Sequence, residues 1–299
     1  MTSSTSPQRK ILAQAATQAF AMRGQTMDVM EISSPDEVEY AIHLARTVSK
    51  LSPLIGNTLE YRLVSLLNQQ TDIQLGKWQR QDPGFPDAVY VGAMQPQPGI
   101  ELKSWFPLAT EITARFKESS ANLAHNAIDV AVIAWLPDHI IYGRPLIIDV
   151  WIDSALSLAQ SRDNHYHNPP HYLVFEPHDT STRAANLQQT NTNGYVFQGT
   201  SEQMQEAEAL VASWGSQGKQ FSSTVDYQER IQLLRNRFPF RLDTNFAKMD
   251  RISHASLETF KSAVLDRQLH GHSIRRWAQV IRNPAAKENL ALLCEVTGL

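Results

Sequence analysis

The chain has 299 residues, of which 42% are hydrophobic and 19% charged, so it can bury a sizeable core and is not a disordered protein. Its single cysteine, Cys294, excludes a disulfide framework and a cysteine-rich zinc site. The formal net charge of −3 does not by itself indicate a nucleic-acid partner. No secretory signal is recognisable at residues 1–8, and the most apolar stretch, 127–136, is too short to cross a bilayer. We therefore expect a cytoplasmic protein without a membrane partner.

The first seventy residues carry helical patterns. An Ala/Gln-rich stretch predicts a helix over 10–23. Ser34, followed by Pro35 and two acidic residues, is typical of a helix N-terminus, and that helix is expected to run to about residue 52. A further helix is predicted to begin at Asn57, because apolar residues then recur at helical spacing.

Beyond residue 80 the pattern changes to short β-rich segments and apolar runs. Two segments separated by prolines predict a hairpin, and two nearly continuous apolar runs predict central strands covered on both faces. Between the hairpin and the first apolar run, apolar residues at Ile112, Phe116 and Leu123 predict a helix. The predicted elements are strands at 87–93, 100–105, 128–136, 146–152 and 172–175 and a helix at 109–125. Together they predict an α/β fold, with a mixed central β-sheet flanked by helices.

The remaining chain is polar at first and then helical. Residues 177–200 are rich in Asn, Gln and Thr and predict a long loop. Residues 226–299 contain 12 Lys and Arg against 8 Asp and Glu, a net charge of +4, whereas residues 1–225 carry −7. We therefore divide the chain into a core, 1–225, and a basic helical extension, 226–299, for DNA binding or dimerisation. The predicted helices of the extension are 227–237, 256–268, 273–282 (capped by Ser273) and 284–297.

The strongest chemical signal is Pro86-Asp87, followed fourteen residues later by Glu101-Leu102-Lys103. Residues two apart on a strand share a face, so Glu101 and Lys103 project together. If the two segments pair as a hairpin, Asp87 lies near Glu101. Two carboxylates beside an ammonium suit phosphodiester hydrolysis, because carboxylate oxygens bind Mg²⁺ and the lysine can orient the attacking water.

This pattern resembles the PD-(D/E)XK nuclease superfamily, which includes many type II restriction endonucleases. The resemblance covers roughly residues 55–175 and implies a restriction-endonuclease-like core. It implies that Asp87 and Glu101 hold Mg²⁺, that the Leu102 carbonyl also ligates it, and that Lys103 serves the nucleophilic water. The implied activity is Mg²⁺-dependent, sequence-specific cleavage of double-stranded DNA. An enzyme that cuts both strands of a symmetric site is expected to be a homodimer.

Glu60 has two interpretations. In many members of this superfamily a glutamate on the preceding helix lies near the metal, and Glu60 stands where that residue would be. Alternatively, the run from Asn57 to Glu60 is a capping-box pattern, in which Glu60 reaches back to the Asn57 amide. Candidate DNA-binding residues are polar or basic and lie near the motif or in the basic extension: Ser104, Arg115, Lys117, Arg275 and Arg276.

Two other classes of function stay open. His165, His167, His171 and His178 crowd one segment and could hold a transition metal, as in a metal-dependent oxygenase or hydrolase acting on a small molecule. The basic helices could instead belong to a non-catalytic DNA-binding protein.

Overall fold

A computed structural model of the protein describes residues 6–69, 76–166, 173–174, 194–197, 199–220, 222, 224–243 and 247–299. The chain divides into two compact units that alternate along the sequence. The first unit comprises residues 1–114, 118–159 and 254–299, and the second comprises 115–117 and 160–253. The division at residue 225 follows charge along the sequence and stays a prediction.

A mixed five-stranded sheet forms the centre of the first unit. Its order is β1-β2-β3-β4-β5, with β3 and β4 parallel and all other neighbours antiparallel. The predicted α/β class and hairpin are thereby confirmed. The strands are β1 (Gly76–Arg80), β2 (Ala88–Gly92), β3 (Gly99–Trp105), β4 (Ile128–Pro137) and β5 (Pro145–Ser154).

The two apolar runs occupy different positions in this sheet. β4 is central, and its residues from Val130 to Leu136 are completely buried, as predicted. β5 was also predicted to be central, but it is the last strand of the sheet. Its apolar character has another cause, because the segment 24–27 covers its free edge: Gly24 N donates to Ile147 O and Met27 N donates to Pro145 O. An edge strand covered in this way needs no polar pattern.

Three helices precede the sheet: α1 (Pro7–Phe20), α2 (Val38–Thr47) and α3 (Ser52–Gln69). α2 begins four residues after Ser34 and shows no side-chain cap, so the predicted cap is wrong. The predicted start at Asn57 is also wrong. The buried row of α3 already begins at Ile55 and continues through Leu59 and Leu63, so the helix runs unbroken past Asn57.

The segment between β3 and β4 is not the predicted helix. After a short 3₁₀ turn, Pro107–Ala109, the backbone turns left-handed at Thr110, with a φ of 61°, and residues 111–119 contain no helix. Ile112, Phe116 and Leu123 are buried, as the apolar pattern suggested. However, Phe116 N donates to Ala247 O at 2.7 Å, so a long-range backbone bond replaces the bond within a helix.

The second unit contains three short strands and two complete helices among its described residues. The strands β6 (Leu173–Val174), β7 (Gly194–Phe197) and β8 (Phe240–Asp243) form one sheet. The predicted strand at 172–175 is confirmed at its two described residues. The predicted loop lies mostly outside the described residues, but its end forms β7. The helix α4 (Ala155–Tyr166), which directly follows β5, and the helix α5 (Ser201–Ala212) were not predicted, whereas α6 (Val225–Arg237) confirms the predicted helix at 227–237.

The last three predicted helices are confirmed within the first unit. They are α7 (Ala255–Asp266), α8 (Ile274–Arg282) and α9 (Lys287–Thr297). Ser273 caps α8 as predicted, since its Oγ accepts a hydrogen bond from Arg276 N at 3.1 Å. None of the helices that the structure describes is long and apolar enough to cross a membrane.

Candidate active site

The hairpin of β2 and β3 brings Asp87 and Glu101 together. The last pair of this antiparallel ladder joins Ala88 to Ile100, so the next positions, Asp87 and Glu101, lie opposite each other. Asp87 does not continue the ladder. Instead its Oδ2 accepts a hydrogen bond from Leu102 N at 2.7 Å. The carboxylate is thereby fixed at the edge of β3, beyond the end of β2.

Glu101 and Lys103 form an ion pair on one face of β3. Glu101 is 8% exposed, and its Oε1 accepts the bond from Lys103 Nζ. Its second oxygen, Oε2, is buried and has no hydrogen-bond donor among the described residues. A buried carboxylate oxygen is costly unless a donor or a cation satisfies it. Glu101 therefore has one oxygen committed to the lysine and one available to a cation.

The pKa of Asp87 is raised from 3.8 to about 6. The largest cause is burial, and the next is the negative charge of Glu101. The bond from the Leu102 amide and the charge of Lys103 act in the opposite direction but do not cancel these effects. Asp87 and Glu101 repel each other, and a divalent cation bound by both carboxylates would relieve this repulsion.

The Leu102 carbonyl completes this group of oxygens. Within a β-strand, the amide and carbonyl of one residue point toward the same neighbouring strand. Because the Leu102 amide points toward Asp87, its carbonyl faces the same edge. Two carboxylates and a carbonyl are oxygen ligands of the kind that Mg²⁺ prefers, so the residues present fit this ion.

Gly99 explains how Asp87 is held in position. A Cβ on Gly99 would lie 2.3 Å from Pro86 Cγ and 3.2 Å from Ala88 O. The absence of a side chain at Gly99 thus lets the Pro86 ring pack directly on the β3 backbone. This contact holds the residue immediately before Asp87 against β3.

Glu60 is close to the site but is bound to another residue. Its Oε2 accepts a bond from Arg80 Nε at 2.9 Å, on β1. Burial raises the pKa of Glu60, and the negative charge of Asp87 contributes to this rise. The capping role is excluded because Asn57 lies inside α3. Arg80 was not among the predicted site residues, because a single basic residue at the end of a strand does not by itself indicate a site.

The predicted DNA-binding residues occupy several parts of the fold. Ser104 lies on the opposite face of β3 from Glu101, beside Gly56 of α3, where an added Cβ would be 3.2 Å from Ser104 Oγ. Arg275 donates to Asp266 at 2.9 Å and Arg276 donates to Gln279 at 3.3 Å, both on the first unit. Arg115 and Lys117 belong to the second unit.

The histidine-rich segment lies almost entirely outside the described residues. His167, His171 and His178 lie outside the described residues, and the side chain of His165 does as well. Within the described ranges, no group of three or more His, Cys, Asp or Glu residues is arranged to hold a metal ion. The pair of Asp87 and Glu101 with the Leu102 carbonyl is a smaller set, and its remaining ligands would be water and substrate oxygens.

Comparison with protein-family models, with curated proteins and with solved structures finds no match to this chain.

Proposed function

We propose that this protein is a Mg²⁺-dependent endonuclease that cleaves double-stranded DNA at specific sites, in the manner of a type II restriction endonuclease. One observation supports the proposal above all. Asp87, Glu101 and Lys103, selected from sequence spacing, lie together at the end of the hairpin, with one buried Glu101 oxygen unsatisfied among the described residues.

Each of these groups has a separate role in the proposed reaction. Asp87, Glu101 Oε2 and the Leu102 carbonyl would hold Mg²⁺. When bound, the ion stabilises the extra negative charge at phosphorus and lowers the pKa of a coordinated water. Lys103, fixed by Glu101 Oε1, donates a hydrogen bond that orients the attacking water. Glu101 therefore couples the position of the lysine to the position of the cation.

The order of elements also supports the resemblance to the PD-(D/E)XK superfamily, with one departure. A helix, α3, leads into the three antiparallel strands, and Glu60 lies on that helix close enough to Asp87 for their charges to interact. The helix expected after β3 is replaced by the irregular segment 106–127. Any DNA contact from this region would therefore come from a loop rather than from a helix.

DNA binding and dimerisation form the remaining part of the proposal. Arg275 is half exposed and bound to an exposed carboxylate, so a phosphate can replace Asp266 at low cost. Arg276 follows it in the first turn of α8, and Ser104, Arg115 and Lys117 remain candidates. A homodimer would place two such sites on the two strands of a symmetric sequence.

The test is cleavage of a long DNA in the presence of Mg²⁺. We expect discrete bands, and we expect Lys103→Ala to lower cleavage at least about 100-fold while DNA binding, measured with Ca²⁺ in place of Mg²⁺, persists. Lys77→Ala is the matched control, because Lys77 is an exposed lysine on β1. Cleavage unchanged by Lys103→Ala would refute the proposed role. Retention of DNA without a cut product in any divalent metal would indicate a non-catalytic binding protein.

A further inference from the structure

A continuous chain of hydrogen bonds joins four polar side chains at the junction of β5, α4 (Ala155–Tyr166) and α7. Ser157 Oγ lies 3.0 Å from His254 Nε2, and His254 Nδ1 lies 3.2 Å from Ser256 Oγ. Ser256 Oγ in turn lies 2.9 Å from Asp153 Oδ2. His254 is 8% exposed, whereas Ser157 is partly exposed. The chain thus runs from the hydroxyl of a partly exposed serine, through a buried imidazole and an exposed serine, to a carboxylate.

For a neutral His254, the donors and acceptors along this chain have one consistent assignment. Trp151 Nε1 can only donate, and it bonds to Ser256 Oγ at 3.0 Å. The ionised carboxylate of Asp153 can only accept, so Ser256 gives its single proton to Asp153. Ser256 must then accept from His254 Nδ1–H. In the neutral imidazole the proton on Nδ1 leaves Nε2 as the acceptor of the Ser157 hydroxyl proton.

This assignment is the arrangement of an activated serine nucleophile. The imidazole presents its basic nitrogen to Ser157, and the proton on Nδ1 is held by Ser256, which Asp153 orients. Trp151 packs edge-on against the ring of His254, with centroids 5.8 Å apart, which restricts rotation of the imidazole. Asp153 is itself fixed, because its Oδ1 accepts from Ser154 N at 2.7 Å.

Ser157 also lies in the first turn of α4. Its backbone amide donates to Ser154 Oγ at 3.3 Å, so Ser154 caps this helix. The positive end of the helix dipole favours negative charge that develops at this place. The Ser157 amide is used by Ser154, but the amides of the two residues before it in the first turn have no acceptor within the helix and can stabilise an oxyanion nearby.

We propose that Ser157 is the nucleophile of a second site, which hydrolyses small carboxylic esters. Ser157 Oγ attacks the carbonyl carbon, and its proton passes to His254 Nε2. The ester C–O bond then breaks, and the leaving alcohol takes the proton from His254 Nε2. Water, deprotonated by the same nitrogen, attacks the acyl carbon on Ser157. The acyl C–Oγ bond then breaks, Ser157 Oγ takes the proton back from His254 Nε2, and the carboxylic acid leaves. Ser256 and Asp153 act as positioning residues.

The experiment measures covalent labelling and turnover with the full chain. A small fluorophosphonate, which reacts with activated serines, is expected to label Ser157, as located by mass spectrometry of the peptides. Hydrolysis of p-nitrophenyl acetate is expected to proceed with a burst. Ser157→Ala should abolish both, and His254→Gln should slow the burst at least about 100-fold. Ser256→Ala should lower kcat more than it changes KM, because it affects only the orientation of His254.

Ser262→Ala is the matched control. Ser262 is an exposed serine of α7 that donates to a carboxylate, Asp266, at 3.2 Å but does not contact a histidine in the described structure. The Ser262→Ala variant should be labelled by the fluorophosphonate and should hydrolyse p-nitrophenyl acetate like the unmodified chain. Circular dichroism establishes whether each variant is folded. If Ser157→Ala does not fold, Ser157→Cys is the second variant at the position of the nucleophile. Absence of labelling, labelling at another residue, or a burst unaffected by His254→Gln would each overturn the proposal. DNA cleavage by Ser157→Ala should be normal, so the outcome is independent of the proposed nuclease.

Discussion

Replacing Asp87 by Asn should stabilise the fold in the absence of metal while removing the divalent-cation site. Asn is isosteric with Asp, and its Oδ1 can still accept the hydrogen bond from Leu102 N. Its amide group can donate to Glu101 Oε2, which has no donor among the described residues. The substitution therefore replaces a repulsion between two carboxylates with an attraction.

The size of the effect follows from the pKa of Asp87. A rise from 3.8 to about 6 means that ionised Asp87 disfavours the folded state. The difference corresponds to about 3 kcal/mol at 1.36 kcal/mol per pH unit. Because Asp87 is partly exposed, solvent screening reduces this to about 1–2 kcal/mol. For a chain of this size we expect Tm to rise by about 2–4 °C.

The stabilisation by Asp87→Asn is expected to depend on pH. In the unmodified chain, Asp87 does not lower the free energy of unfolding while it is protonated in both the folded and the unfolded state. The loss of stability grows as the pH rises from about 4 to 6, because Asp87 then ionises in the unfolded state but not yet in the folded state. The gain in Tm of Asp87→Asn should therefore be largest at pH 7 and shrink toward zero at pH 4. The assay is thermal unfolding in EDTA at several pH values, repeated with Mg²⁺.

The metal arm of the same experiment is expected to reverse the order of stability. Mg²⁺ should raise the Tm of the unmodified chain, because an ion that binds only the folded state stabilises it by mass action. It should leave Asp87→Asn almost unchanged. A variant less stable than the unmodified chain at pH 7 in EDTA would refute the electrostatic reasoning. An equal response of both chains to Mg²⁺ would refute the assignment of Asp87 as a ligand.

Two further substitutions test the packing behind Asp87 and a buried ion pair elsewhere in the first unit. Gly99→Ala should cost about 1–3 kcal/mol and impair cleavage, because the new Cβ displaces Pro86 and with it the metal ligand; chemical denaturation and cleavage assays measure both, and unchanged activity would contradict the packing argument. Arg9→Met should cost about 3 kcal/mol at pH 7, since it leaves the carboxylate of Asp129, which is 4% exposed in its side chain, buried and unpaired. The loss should become smaller as the pH falls, because burial raises the pKa of Asp129 and a protonated carboxyl leaves no unpaired charge. Arg144→Met, which removes two exposed ion pairs, with Asp28 and Glu31, is the control and should cost about 1 kcal/mol or less; an equal loss in both variants would contradict the burial argument.

Local patterns in the sequence were sufficient to predict the hairpin and the candidate site. Strand alternation places Glu101 and Lys103 on one face whatever the surrounding fold, and prolines between two β-rich segments favour a turn. The caps and the apolar rows of the later helices are local for the same reason, so Ser273 was correctly identified as a cap. The spacing of Asp87 and Glu101 predicts that the two residues lie close together, because a hairpin has only a few possible registers.

Only the tertiary structure decided the features that depend on distant residues. The segment 109–125 has helical spacing, but Phe116 bonds to Ala247, and no local signal encodes that partner. The apolar run of β5 predicts a buried strand equally well at the centre or at a covered edge. Ser157 and His254 are 97 residues apart, so their hydrogen bond is invisible in sequence. The sequence determined the local periodicities and chemical types of these residues, whereas the packing of the whole chain determined which of them meet. The physical reason is that side-chain contacts between distant segments form only once loop-closure entropy has been overcome by burial elsewhere in the fold.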